Sequence, residues 1–161
     1  MRIDGWMKHP VHSVKPLDSV VHARALMERL RVNQLPVVVN GRLVGIVTDR
    51  DVRDAYPSVA ESGMATSTGD PAQVPVESVM AFAVVTLGPE QSMVEAARLM
   101  RRERIGALPI VHDGHLVGIL TRSDVLDAFV GLAQRMEAAE RRAPAPTRAG
   151  LHAAAPAPQR R

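Results

Sequence analysis

The segment GRLVGIVTDRDVRDA (residues 41–55) decides the reading of the chain, because it returns as GHLVGILTRSDVLDA (residues 114–128). Ten of the fifteen aligned positions are identical, and each copy keeps a Thr and an Asp three residues apart, Thr48 with Asp51 and Thr121 with Asp124. Working outward, a shift of 73 residues aligns 7–55 with 80–128 without a gap, and 23 of the 49 pairs are identical. Matched pairs include Met7/Met80, Pro16/Pro89, Ser19/Ser92, Leu26/Leu99, Met27/Met100, Leu35/Leu108 and Pro36/Pro109. Self-similarity at a fixed offset is the mark of a duplicated structural unit.

One unit reads as β-α-β-β-α. VHSV (11–14) is a short strand closed by Lys15-Pro16, and Asp18 or Ser19 caps a helix running to about Arg31. Ala23, Leu26, Met27 and Leu30 fall at helical spacing and form its apolar face. LPVVV (35–39) and LVGIV (43–47) are strands joined by Asn40-Gly41, a pair suited to a type I′ turn because both positions need φ > 0. Thr48 opens a short helix that Pro57 stops. The second copy repeats the pattern, with strands at 84–87, 108–111 and 116–120, a helix at 91–104, a turn at 112–114 and a last helix extending to about Arg142. The resulting division is repeat one at 1–57, a Pro/Ser/Thr/Gly-rich linker at 58–76, repeat two with an extended C-terminal helix at 77–140, and an Ala/Pro/Arg tail at 141–161 read as disordered. A single unit buries too little surface to stand alone, so the fold class expected is α/β (α+β), two units packed sheet to sheet around a shared core.

Composition narrows the function. Hydrophobic residues make up 46% of the chain and aromatics 2%, so the core is aliphatic. There is no cysteine, which removes disulfides, thiolate metal sites and Cys nucleophiles. No run of about 18 apolar residues is present, and MRIDGWMKHPVHSVKP (1–16) has no apolar h-region, so a cytoplasmic protein without signal peptide or membrane span is expected. The net charge of +3 divides into −1 for residues 1–130 (fourteen Lys/Arg, fifteen Asp/Glu) and +4 for 131–161 (six Arg, two Glu). A nucleic-acid domain would carry its basic face on the fold, so nucleic acid is not the expected partner. No G-x-S-x-G, P-loop or H-E-x-x-H is present, and the expectation is a non-enzyme.

The T-x-x-D pairs admit two readings. One is a capping box, with Thr as N-cap and the acid bonding back to the cap amide, although Asp reaches less well than Glu. The other is ligand chemistry. A carboxylate accepts two hydrogen bonds from a vicinal diol, a hydroxyl adds a donor, and a helix N-terminus favours phosphate. Arg50, Arg53 and Arg122 lie within a turn of these motifs. A nucleoside phosphate satisfies that set.

LPVVVNGRLVGIVTDRDV and LPIVHDGHLVGILTRSDV, in register in a duplicated β-α-β-β-α unit, resemble the CBS domain, and the pair resembles the Bateman module of stand-alone bacterial type, over about residues 1–130. The resemblance implies pseudo-two-fold symmetry, clefts between the sheets, a homodimer, and an adenosine-containing ligand: AMP, ADP, ATP, NAD or S-adenosylmethionine. It places ribose on Asp51 and Asp124, hydroxyl or phosphate contacts on Thr48, Thr121, Arg50 and Arg122, and the apolar cleft wall on Val14, Leu35, Pro36, Val37, Leu87, Leu108, Pro109 and Ile110. The implied function is a regulatory, ligand-sensing module that signals to an unknown protein partner by conformational change. The alternative is a ligand-free dimerisation adaptor that recruits a partner through its basic tail. No cofactor is required and no metal is expected.

The remaining features read as structural. His9 and His12 flank Pro10, with His22 on a helix, and no Cys or Glu set accompanies them. His112 and His115 flank a turn. Met27 and Met100 are core residues. Trp6, which matches Val79, either packs at the domain entry or anchors a dimer.

Overall fold

The structure is a computed structural model, and it describes residues 1–55 and 70–142. Residues 58–69 of the expected linker at 58–76, the expected helix stop at Pro57 and residues 143–161 of the expected tail at 141–161 therefore lie outside the described residues. The chain divides into two compact units, Met1–Ala128 and Phe129–Arg161.

In chain order the elements are α1 (Val20–Leu30), β1 (Gln34–Val39), β2 (Arg42–Thr48), α2 (Asp49–Asp54), 3₁₀ turns at Pro71–Gln73 and Val76–Ser78, α3 (Met93–Glu103), β3 (Ala107–His112), β4 (His115–Thr121) and α4 (Arg122–Arg142), which begins in the first unit. The described part of the second unit is the continuation of α4 to Arg142. Ser19 and Ser92 cap α1 and α3, each accepting a hydrogen bond from an amide of the first turn. Each helix ends at an arginine in the left-handed region, Arg31 and Arg104.

Each repeat contributes an antiparallel hairpin, β1 with β2 and β3 with β4, and each hairpin has an irregularity at the same repeat position. Asn40 (φ 51°) and Gly41 (φ 78°) turn the first, Asp113 (φ 48°) and Gly114 (φ 78°) the second, which is the positive-φ pair a type I′ turn requires. The expected first strands at 11–14 and 84–87 shrink to one bridging residue each. Val14 pairs in parallel with Val37, and Leu87 with Ile110. The prolines that follow explain the brevity, since Pro16 and Pro89 offer no N–H to continue a ladder. Pro36 is tolerated inside β1 because no donor is asked of it: its carbonyl accepts from Val14 N–H, while Val38 N–H donates to Val14.

The two cores are completed by exchange. The first holds Val14, Val20, Ala23, Leu26, Met27, Leu35, Val37, Val47 and Val52, and it is closed by Val76 and Met80 from the segment that leads into the second repeat. The second holds Leu87, Met93, Ala96, Met100, Leu108, Ile110, Leu120 and Ala128, and it is closed by Ile3, with Trp6 and Met7 packed against it, from the chain's N-terminal arm. Ile3 matches Val76, and Met7 matches Met80, under the 73-residue shift. Val76, with Val74 packed against the same core, thus ties the end of the segment read as a linker to the first repeat. Backbone pairing fixes both arms: Lys8 exchanges two hydrogen bonds with Ile119 (2.8 and 3.1 Å), and Ala81 exchanges two with Ile46 (2.9 and 3.0 Å). Glycine permits the approach, because a Cβ on Gly45 would collide with Met80 Sδ and one on Gly118 with Met7 Sδ. The hairpins meet through β2 and β4, and Leu116 N–H donates to the Gly41 carbonyl at 2.9 Å. Two alike units related by this mutual exchange make a mixed α/β fold with pseudo-two-fold symmetry.

Candidate functional site

Both T-x-x-D motifs sit where a hairpin's second strand runs into a helix, and both close as capping boxes. Thr48 Oγ1 donates to Asp51 Oδ2 at 2.6 Å and Thr48 N–H to the same oxygen at 2.8 Å, while Asp51 N–H donates to Thr48 Oγ1 at 3.3 Å. In the second repeat the corresponding distances are 2.6, 2.7 and 3.4 Å. The shorter reach of Asp is offset by the threonine hydroxyl, which donates to the acid as well as accepting from its amide. One carboxylate oxygen of each Asp is thereby saturated by its own Thr, and Oδ1 is left for other partners.

There the repeats differ. Asp124 is buried, and its Oδ1 lies 3.2 Å from Nζ of Lys8, whose own side chain is 65% exposed. Among the described residues no cation comes within ion-pair distance of Asp51.

Thr48 and Thr121 open on one cleft of about 670 Å³, lined also by Lys8, Arg31, Arg50, Arg53, Arg122 and Asp49. This volume is in the range of small-molecule sites. Val32 and Ile119 supply apolar surface, and Asn33, Gln34, Gly106 and Ser123 complete the lining. Five cationic residues against one carboxylate give the cleft a positive potential, although several of the cations are partly engaged. Arg53 pairs with Asp49 at 3.1 Å and Arg50 with Asp54 at 3.8 Å, while Arg122 Nε donates to the Ile105 carbonyl at 3.0 Å.

The structure therefore brings Thr48, Thr121, Arg50 and Arg122 to one opening, with Asp51 and Asp124 bonded directly behind the threonines. The residues read as a cleft wall are buried. Leu35, Val37, Leu87, Leu108 and Ile110 are core side chains, and Pro36 and Pro109 are buried. Val14, itself a core residue, borders a separate opening of about 580 Å³ with Val11, Ser13, Asn40 and Leu116. Sequence reasoning missed Lys8, Arg31, Val32 and Ile119. No signal singled out Lys8, whose mismatch with Ala81 sits among other mismatched pairs such as His9/Phe82 and Pro10/Ala83, while the repeat-matched Arg31/Arg104 pair was the available signal for Arg31. Among the described residues no helix is long and apolar enough to cross a membrane.

The chain is similar to known proteins along the same span. The family model described as CBS domain matches twice, at residues 3–58 and 76–131. Inosine-5'-monophosphate dehydrogenase of Korarchaeum cryptofilum is 38% identical over 125 residues, which are 77% of this chain but 23% of the dehydrogenase. The chain thus spans about a quarter of that relative. CBS domain-containing protein YhcV of Bacillus subtilis is 34% identical over 119 residues, covering 74% of this chain and 79% of that protein. Among solved structures, CBSX2 in complex with AMP superposes with a TM-score of 0.69 at 29% identity, over 82% of this chain and 98% of that one. The CBS domain pair of MJ0100, in complex with 5-methylthioadenosine and S-adenosyl-L-methionine, gives 0.68 at 25% identity, over 82% and 98%. With both copies of the duplicated unit matched in register, the chain belongs to the CBS-domain family and carries two CBS domains in tandem.

Proposed function

We propose that the chain is a regulatory module that binds an adenosine-containing nucleotide in the cleft shared by the two T-x-x-D motifs and passes the bound state to a protein partner by a change in conformation. The observation that carries the reading is the convergence of both motifs on one cation-lined cleft. Oδ1 of Asp51 and Asp124 takes ribose hydroxyls, the threonine hydroxyls and the arginines at 50 and 122 take phosphate or ribose oxygens, and Val32 and Ile119 give a base its apolar surface. AMP in CBSX2 supports this ligand class among the candidates AMP, ADP, ATP, NAD and S-adenosylmethionine. The reading involves no catalysis and no required cofactor. The module acts in the cytoplasm as a homodimer, its partner surface including the exposed Phe129 and Val130 of α4. A ligand moves such a switch only as far as its affinities for the two states differ.

One observation favours a second reading, in which the module is a ligand-free dimerisation adaptor: the capping boxes give both Thr–Asp pairs a structural role of their own. Thermal denaturation with each candidate in turn separates the two. A ligand at 100 times its Kd adds about 2.7 kcal/mol to stability, and Asp51→Ala and Asp124→Ala each remove part of that gain. If no candidate shifts the transition, the sensor reading is wrong and the adaptor stands.

A further inference from the structure

Under the repeat, Lys8 and Ala81 are the same position. Each is pinned by a pair of backbone hydrogen bonds to the second hairpin strand of the other repeat, Lys8 to Ile119 and Ala81 to Ile46. Backbone placement is thus symmetric and only the side chain differs. At the first motif the arm presents a methyl group. At the second it presents an ammonium 3.2 Å from Asp124 Oδ1, on a carboxylate that is 6% exposed. Lys8 also lines the cleft on which both motifs open, beside Arg122.

We propose that Lys8 is a specificity-determining residue that makes the second-repeat site selective for phosphorylated nucleosides, and so makes the two sites unequal. This rests on the nucleotide reading above. Asp124 Oδ2 is occupied by Thr121, so a ribose diol needs Oδ1, the oxygen Lys8 holds. A nucleoside that takes Oδ1 leaves the ammonium without its counter-charge in a cleft already rich in arginine, and that is unfavourable. A ligand with a phosphate supplies a replacement anion, and the ion pair is exchanged rather than broken: Lys8 moves to phosphate as Asp124 moves to the diol. An unphosphorylated nucleoside has nothing to offer Lys8. Among the described residues no cation pairs with Asp51, so at the first motif a diol can take Oδ1 with no ion pair to exchange.

The test reads one site at a time. In an Asp51→Asn background, calorimetric titration with AMP and with adenosine measures the second site, before and after Lys8→Met. The expected result is a fall of about tenfold in the preference for AMP over adenosine, with adenosine bound no more weakly than before. The same Lys8→Met change in an Asp124→Asn background, where no ion pair remains to be exchanged, moves the preference by clearly less. An equal loss for both ligands, or an equal change in both backgrounds, overturns the proposal. A ligand-free arm separates its failure from that of the underlying reading. The chain has only two lysines, Lys8 and Lys15, so amine acylation followed by mass spectrometry reports each. Asp124→Asn speeds Lys8 relative to Lys15 if the pair forms. If the ratio does not move, the pair is absent in solution and the inference falls whatever the chain binds. If the ratio moves but neither AMP nor adenosine binds the unmodified protein, the nucleotide reading has failed, and this inference fails with it.

Discussion

Replacing Ile3 with Ala tests whether each core is closed by the other half's arm. Ile3 is fully buried, against Leu87, Met93, Met100, Leu108 and Ile110 of the second repeat, although it belongs to the first repeat in sequence. Removing its outer carbons at about 0.8 kcal/mol each loses about 2.4 kcal/mol of transfer free energy. The pocket left behind is bounded by hairpin and helix that cannot both collapse, so the total reaches about 3–4 kcal/mol. For a unit of this length that lowers the melting temperature by roughly 10–15 °C. Location is the sharper readout. Native-state hydrogen exchange should quicken first in α3, β3 and β4, whose core has lost a wall, while α1, β1 and β2 keep more of their protection. Val76→Ala should do the reverse, since Val76 is buried in the first core. A loss below about 1 kcal/mol for Ile3→Ala, or exchange that quickens mainly in β1 and β2, refutes the exchanged-arm account.

Two other outcomes follow from the same structure. Thr121→Val keeps the shape but deletes the hydroxyl that both donates to Asp124 and caps its amide, so the denaturation midpoint should fall by the equivalent of about 1 kcal/mol, and Thr121→Ser should restore most of it. Phe129, 64% exposed on α4 with Val130 beside it, is a large apolar group in water, and in a homodimer Phe129→Asp should move the solution mass from twice 17.4 kDa toward 17.4 kDa by light scattering.

Much of the fold is legible in the sequence because its signals are local. Asn40-Gly41 and Asp113-Gly114 announce their turns through the backbone conformation they allow, and Ser19 and Ser92 announce the helices they cap. The duplication doubles every such signal. The T-x-x-D motifs were legible as a position, at the junction of strand and helix, and as a choice between capping and ligand chemistry. The capping geometry is present in both copies, and it engages one carboxylate oxygen of each Asp, Oδ2, leaving Oδ1 outside the box. Less legible were the short first strands, where a proline two residues past Val14 and Leu87 ends pairing after one bridge, and the fate of 70–76, whose Pro and polar content hides the buried Val76.

By itself the sequence determined that there are two alike units, what each is made of, and which Thr and Asp recur. Tertiary structure alone decided that each unit's arm closes the other's core, that both motifs open on one cleft, and that Lys8 rather than Ala81 meets a motif carboxylate. Secondary structure follows from neighbours a few residues away, which composition and spacing record. The arms are placed by backbone hydrogen bonds between Lys8 and Ile119 and between Ala81 and Ile46, and backbone groups are the same for every residue. No side-chain pattern announces such a pairing, so the sequence shows that Lys8 and Ala81 differ but not that Lys8 meets Asp124.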